Sequence, residues 1–234
     1  MSNEPVSRPL LVIATLNEKK GRELVDLLGV VPYEARLLAS CPGATLPEEV
    51  GATYAENALI KARAACRATG ALALGDDSGL EIDALPGELG LRTARFGGPG
   101  LDDAGRYRLL LDRLRDVPEP ARTARFRCVI ALVAADGAEW VVEGMVGGRI
   151  ASAPRGTGGF GYDPVFFHPP SGLTFGQLSD AEKARLSHRG LAVAAARRVL
   201  LSPPGAAARG CRRSAARRRA GAPPGSPRRR RSGP

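Results

Sequence analysis

Ala71-Leu72-Ala73-Leu74-Gly75-Asp76-Asp77-Ser78-Gly79-Leu80 carries an apolar run straight into two adjacent carboxylates, a small hydroxyl residue and a glycine. The run reads as a strand leading to Asp76, and Glu81-Ile82-Asp83-Ala84-Leu85 as a further strand beyond it. Neighbouring acids at a strand end suit a divalent cation and a water to be activated. Hard cations such as Mg²⁺ take oxygen ligands and sit with one or two carboxylates and a substrate's phosphates.

Working outward, Leu10-Leu11-Val12-Ile13-Ala14 is a continuous apolar run of the kind a buried strand needs. Asn17 reads as the cap of a helix to about residue 28, with Leu24, Leu27 and Leu28 on its inner face. Thr53-Tyr54-Ala55-Glu56 fits a capping box that opens an Ala-rich helix to about residue 69. After the acidic strand, residues 97–100 form a loop, and Asp102 or Asp103 starts a helix to about residue 115. Residues 124–135 and 139–146 flank Asp136-Gly137, a strong hairpin signal. Residues 147–163 are glycine-rich and loop-like, and the short apolar run Val165-Phe166-Phe167 follows. Ser179 and Glu182 form another capping-box pattern; Ser187-His188-Arg189-Gly190 interrupts that helix and leads into a last one. Early alternation of strand and helix followed by a long hairpin predicts an α/β fold, a mixed β-sheet flanked by helices.

The net charge of +10 suggests a nucleic-acid binder until it is divided by region. Of 34 basic residues, ten arginines lie in 202–234, which holds no acid. Residues 1–201 therefore carry 24 basic and 24 acidic side chains and are neutral. The predicted organisation is one domain over 1–201 and a disordered Arg/Pro/Ala-rich basic tail over 202–234, too poor in large apolar residues to repay the entropy of ordering. Such a tail suits non-specific, salt-sensitive contact with nucleic acid, or has no role at all. Cys41, Cys66, Cys128 and Cys211 are scattered without metal-finger spacing, and no signal peptide or membrane-length apolar run is present. These features point to free thiols in a reducing cytoplasm and to no membrane partner.

Four clusters carry possible chemistry. Thr15-Leu16-Asn17-Glu18-Lys19-Lys20 joins the first strand to the first helix, where free N–H groups and the helix dipole suit a phosphate. An ordinary Asn cap with surface lysines accounts for the same residues. Glu48 and Glu49, with Glu56, Asn57 and Lys61 on the helix beyond, could complete a cation site with Asp77; a solvated acidic loop reads equally well. Gly156-Thr157-Gly158-Gly159-Phe160-Gly161-Tyr162-Asp163-Pro164 satisfies the spacing of a dinucleotide fingerprint. Pro164 and a strand follow it rather than a helix, so a loop flanking a flat base is the better reading. Lys183 with His188 and Arg189 could serve a phosphate and a base carbonyl, or form a solvated helix surface.

Taken in order, these segments resemble the inosine triphosphate pyrophosphatase family over about residues 10–200. The matching pieces are Ala14-Thr15-Leu16-Asn17 with Lys20, Glu48 to Ala58 with Lys61-Ala62, Asp76 to Leu80, Thr93-Ala94-Arg95-Phe96, Gly158 to Phe166, and Lys183 with Ser187-His188-Arg189. Leu16 stands where the family usually has Gly, Phe96 replaces a Tyr, and Gly176-Gln177-Leu178 stands for Ala-Glu-Leu.

The resemblance implies a central nucleotide-binding cleft and attack of water on the α-phosphorus of ITP, dITP or XTP, releasing a monophosphate and pyrophosphate. It makes Asp77 the general base and Glu48 with Asp77 the Mg²⁺ ligands, with Asp76 and Glu49 as ambiguous neighbours. Asn17, Lys20, Lys61 and Lys183 would hold phosphate oxygens, with Ser78 close by. Phe160, Gly161, Tyr162, Asp163, His188 and Arg189 would enclose the base, which Arg189 or backbone N–H groups would read at its 6-oxygen. A homodimer is implied by resemblance alone. Related pyrophosphatases act on pyrimidine triphosphates, and a nucleic-acid-binding module working through the tail is the reading from another class.

Overall fold

In the computed structural model, which describes residues 8–41 and 43–202, the first apolar run forms strand β1 (Leu10–Ile13). It lies inside a seven-stranded sheet. The other strands are β2 (Glu34–Leu37), β3 (Leu72–Ile82), β4 (Thr123–Val133), β5 (Glu139–Ile150), β6 (Phe166–His168) and β7 (Leu173–Thr174). Their order is β2-β1-β3-β4-β5-β6-β7. β1 runs parallel to β2 and β3, and every later pairing is antiparallel. The sheet is mixed, as the pattern predicts. The helices are α1 (Glu18–Leu28), α2 (Tyr54–Thr69), α3 (Asp103–Arg113), α4 (Asp180–Leu186) and α5 (His188–Leu200).

β1 is apolar throughout because both of its faces are covered. Leu11 and Ile13 pack with Leu24 and Leu28 of α1 and Val193 and Ala196 of α5, while Val12 and Ala14 pack with Ala58 and Ala62 of α2. Burying side chains on both faces of a parallel strand requires such a run. The alanines of α2 let that helix lie close on the sheet. At the crossing, a Cβ on Gly75 would collide with the Ala58 carbonyl and sit 2.7 Å from the Ala62 nitrogen. A second core gathers Phe126, Phe166 and Phe175 with Leu110 and Leu114 under the far end of the sheet.

The acidic segment differs from its sequence reading. No strand ends at Asp76; β3 continues through Gly75, Asp76, Asp77, Ser78 and Gly79 to Ile82. The proposed separate strand at 81–85 is the end of β3 and a turn. The reason is β4, which pairs with β3 without interruption from Ala73↔Val133 to Ile82↔Ala124 and holds a turn-prone sequence extended. β5 likewise runs on to Ile150 beyond the predicted end of the hairpin. β2 has no apolar run to announce it and forms as a short edge strand against β1.

The caps behave largely as read: Asn17, Asp102, Ser179 and Ser187 each accept a backbone N–H at the start of a helix. At α2 the box is only half formed. Thr53 accepts from the Glu56 N–H, but the Glu56 carboxylate accepts from Ala52 N–H instead of closing on Thr53. The described residues up to Leu201 belong to one compact unit. The predicted basic tail, apart from Ser202, lies outside the described residues. Among the described residues no helix is long and apolar enough to cross a membrane.

Candidate active site

The ladder between β1 and β3 stops at Ile13↔Leu74, while β3 continues along β4. After β1 the chain passes through α1 to β2 on one side, whereas β3 lies on the other. This strand order puts the expected ligand crevice outside the carboxyl end of β1, the usual position in an open α/β sheet. Thr15, Leu16 and Asn17 form the turn at its mouth. Thr15 Oγ1 accepts from Asn17 N–H, and Asn17 Oδ1 accepts from Lys20 N–H, so α1 presents its first turn to the crevice. Leu16 is 50% exposed and adopts no left-handed backbone angle, so the turn forms without the glycine usual there in the family it resembles.

Consecutive residues of a strand face opposite sides of the sheet. Asp76 and Asp77 are therefore no shared carboxylate pair. Asp76 points toward α1 and α5, is 1% exposed, and has Oδ2 2.8 Å from Lys20 Nζ. Burial acts to raise its pKa, but the charges of Lys20, Arg189 and Lys61 outweigh burial, and the net shift is downward. Asp77 points toward α2, where Oδ2 accepts from Asn57 Nδ2 at 3.0 Å. Its Oδ1 accepts from Ser78 N–H at 2.9 Å and lies 4.0 Å from Lys61 Nζ. Here burial wins over Lys61 and Asn57, with Glu49 adding to it, and the carboxyl is raised. Of two adjacent aspartates, Asp77 is the more basic and Asp76 the fixed anion.

Lys61 bridges toward the loop before α2, with Nζ 2.7 Å from Glu49 Oε1. The acid of that loop joined to the Asp77 side is thus Glu49, while Glu48 is exposed. Among the described residues no group of three or more His, Cys, Asp and Glu side chains is placed to hold a metal unaided. Glu18 is tied to Arg22 on the outer surface of α1, and Lys19 is exposed; of the charged residues in this run only Lys20 turns inward.

The other end of the crevice is built by α4, α5 and the glycine-rich segment. Arg189 is buried, donating from Nη1 to Glu23 Oε2 at 2.7 Å and from Nη2 to Ser78 Oγ at 3.2 Å. Lys183 Nζ is 2.8 Å from Asp163 Oδ2 and 3.6 Å from Glu23 Oε1. Both cations lie over the Phe160 ring, Lys183 Nζ at 4.9 Å and the Arg189 guanidinium at 5.4 Å from its centre. Asp163 also accepts from Phe160 N–H at 2.8 Å; burial raises its pKa although Lys183 pulls the other way. Gly161 donates its N–H to Asp103 at 2.9 Å.

A family model described as the Ham1 family matches residues 11–199. The chain belongs to the Ham1 family. Among Ham1 relatives, the dITP/XTP pyrophosphatase of Desulforamulus reducens is 47% identical over 186 residues, covering 80% of this chain and 92% of that protein. One from Thermus thermophilus is 48% identical over 186 residues, 79% of this chain and 88% of its own. A HAM1 protein from Coxiella burnetii superimposes with a TM-score of 0.74 at 38% identity, covering 82% of this chain and 98% of that one. The Staphylococcus aureus Ham1 protein gives 0.73 at 35% identity, with 81% and 97% covered.

Within this Ham1 chain, two residues of the base-side group are turned inward. Tyr162 belongs to the core and donates its hydroxyl to the Thr93 carbonyl at 3.0 Å; burial pushes its pKa up to about 12. His188 is stacked on Phe126 at 4.5 Å and, by burial first, is held well below the ordinary imidazole pKa and so neutral. Asn57, read from the sequence only as part of the cluster around the loop before α2, holds Asp77, and Glu23, absent from the sequence-based clusters, is shared by Arg189 and Lys183. Glu23 was findable, since it falls between Lys20 and Leu24 on the inward stripe of α1. The Gln177 that departs from the family's acid closes a capping box with Thr174, a role its amide oxygen fills.

Proposed function

We propose that this Ham1 protein hydrolyses the non-standard purine nucleoside triphosphates ITP, dITP and XTP to the monophosphate and pyrophosphate, clearing aberrant purines from the nucleotide pool. The observation that carries the reading is the raised Asp77 carboxyl, held between Asn57 and Lys61 beside the open end of β1. A raised carboxylate binds a proton more readily and suits a base that takes one from water. Asp77 would orient that water toward the α-phosphorus and accept its proton as pyrophosphate leaves. Lys20, Lys61 and the first turn of α1 would hold the phosphate oxygens, the lysines exchanging part of their present contact with Asp76 and Glu49 for the substrate.

Mg²⁺ would be held by Asp77 with Glu48 from the exposed loop before α2, carboxylates of the kind a hard cation takes, and the Lys61 ammonium between Asp77 and Glu49 marks where positive charge is favoured. When bound, Mg²⁺ would neutralise polyphosphate charge. At the other end, Phe160 would stack on the base. Arg189 or backbone N–H groups would donate to the 6-oxygen, against which the amino group of adenine leaves donors facing donors. An unmet buried polar group costs about 1–3 kcal/mol, roughly ten- to a hundredfold in selectivity.

The same reading takes the protein as cytoplasmic, supported by the free, scattered thiols of Cys41, Cys66 and Cys128, and as a homodimer by the family resemblance alone. Residues 1–201 would carry the activity, with the basic tail an appendage able to touch nucleic acid non-specifically. The test is a panel of ITP, dITP, XTP, ATP, GTP, UTP and dTTP, with and without Mg²⁺, scored for pyrophosphate against orthophosphate, on the full chain and on a chain ending at residue 202. Pyrophosphate from ITP, dITP and XTP alone, requiring Mg²⁺ and indifferent to truncation, is expected. Orthophosphate as product, or preference for pyrimidines, sinks the proposal.

A further inference from the structure

The segment carrying Phe160 is tied to α3 by a contact that helix α3 does not need for itself. α3 is capped by Asp102, whose carboxylate accepts from Gly105 N–H at 2.7 Å. Asp103, the next residue, turns its carboxylate away from its own helix and accepts the Gly161 N–H at 2.9 Å from a segment 58 positions later. One turn further, Arg106 donates to the carbonyls of Phe96 and of Gly98, the latter at 3.1 Å. The first turn of α3 thus grips two loops at once.

Gly161 has φ +63°, a left-handed angle that suits glycine, and it directly follows Phe160. The N–H of Phe160 is held by Asp163 and the N–H after it by Asp103. One peptide flanking the ring is therefore fixed within the segment, by Asp163, and the other only from outside it, by Asp103. The run has four glycines between residues 156 and 161, and besides these tethers it is held by the Gly158 N–H on the Gly176 carbonyl and by Tyr162 in the core, so Asp103 is one restraint among several on the ring.

We propose that Asp103 is a positioning residue for purine recognition: by holding the Gly161 N–H, its carboxylate keeps the Phe160 ring in place as the wall on which the base stacks. This rests on the reading that Phe160 borders the base. Because the contact is open to solvent, its loss should act moderately, on binding more than on turnover.

The experiment compares Asp103→Ala, Asp103→Asn, Asp102→Ala and Phe160→Ala in the full chain. Asp103→Ala should raise KM for ITP roughly three- to tenfold with kcat within about twofold, and should speed amide exchange across residues 156–163 in the ligand-free protein. Asp103→Asn keeps an acceptor oxygen but no charge, and should restore both readouts. Asp102→Ala should lower the melting temperature and leave KM unchanged. An unchanged KM in Asp103→Ala, or an equal rise in Asp102→Ala, overturns the positioning role. Phe160→Ala separates the two readings. If it raises KM while Asp103→Ala does not, only the role of Asp103 falls; if it too leaves KM unchanged, the base site itself is misplaced.

Discussion

Asp76 and Asp77 are the same residue type, adjacent in one strand and both nearly buried, yet the fold moves them in opposite directions. Asp76 faces Lys20 with Arg189 nearby and is lowered; Asp77 faces Asn57, a more distant Lys61 and the field of Glu49, and is raised. Burial is the largest influence on both. What differs is how much positive charge each side of β3 supplies against it. One face makes a fixed anion that anchors a lysine, and the other a carboxylate ready to take a proton.

Replacing Asp77 should break this contrast most severely. Asp77→Asn removes the proposed base while keeping an oxygen for the Asn57 contact, so pyrophosphate release from ITP should fall by about 10²–10⁴-fold. Its melting temperature should stay level or rise by about 1–3 °C, because a desolvated functional acid costs the fold stability. Near-normal turnover would remove Asp77 from the mechanism.

Asp76→Asn should do its main damage to stability. It strips a buried anion from Lys20 and leaves that charge uncompensated, at a cost of about 3 kcal/mol. A thermal melt lowered by several degrees is expected, and an unchanged one would mean that Lys20 finds another partner at no cost.

The smallest effect is in pH. Asp77, raised in the fold, contributes stability below the unfolded carboxylate value, and that contribution disappears as pH rises through its folded pKa. Asp76, lowered in the fold, contributes above the unfolded value and loses this as pH falls through its folded pKa. The proposed base role requires Asp77 unprotonated, so the acid limb of kcat/KM should lie above the ordinary aspartate value of about 3.9. A limb at or below that value would erase the distinction between the two faces.

Much of the architecture was legible in local chemistry. Asn17, Thr53, Ser179 and Ser187 announce helix starts because a short polar side chain meets orphan N–H groups wherever the helix sits. Asp136-Gly137 announces the β4–β5 turn, where Gly137 takes φ +85°. β2 was not legible, since Glu34-Ala35-Arg36-Leu37 has no distinctive period and exists as a strand only because β1 offers an edge. In the site, the inward turn of Tyr162 and His188, the ion pairing of Glu49 rather than Glu48, and the place of Glu23 depend on neighbours far away in the chain.

By itself the order of residues determined most helix starts, the β4–β5 turn, the neutral body with its basic end, and the set of polar side chains available for a triphosphate, because caps, turns and apolar periods act over a few residues. Only the tertiary structure decided that β3 stays extended through its acids, that these acids part to opposite faces, and which lysine or arginine meets each. Those outcomes are fixed by strand pairing and by charges brought together across the chain, and no local stretch contains them.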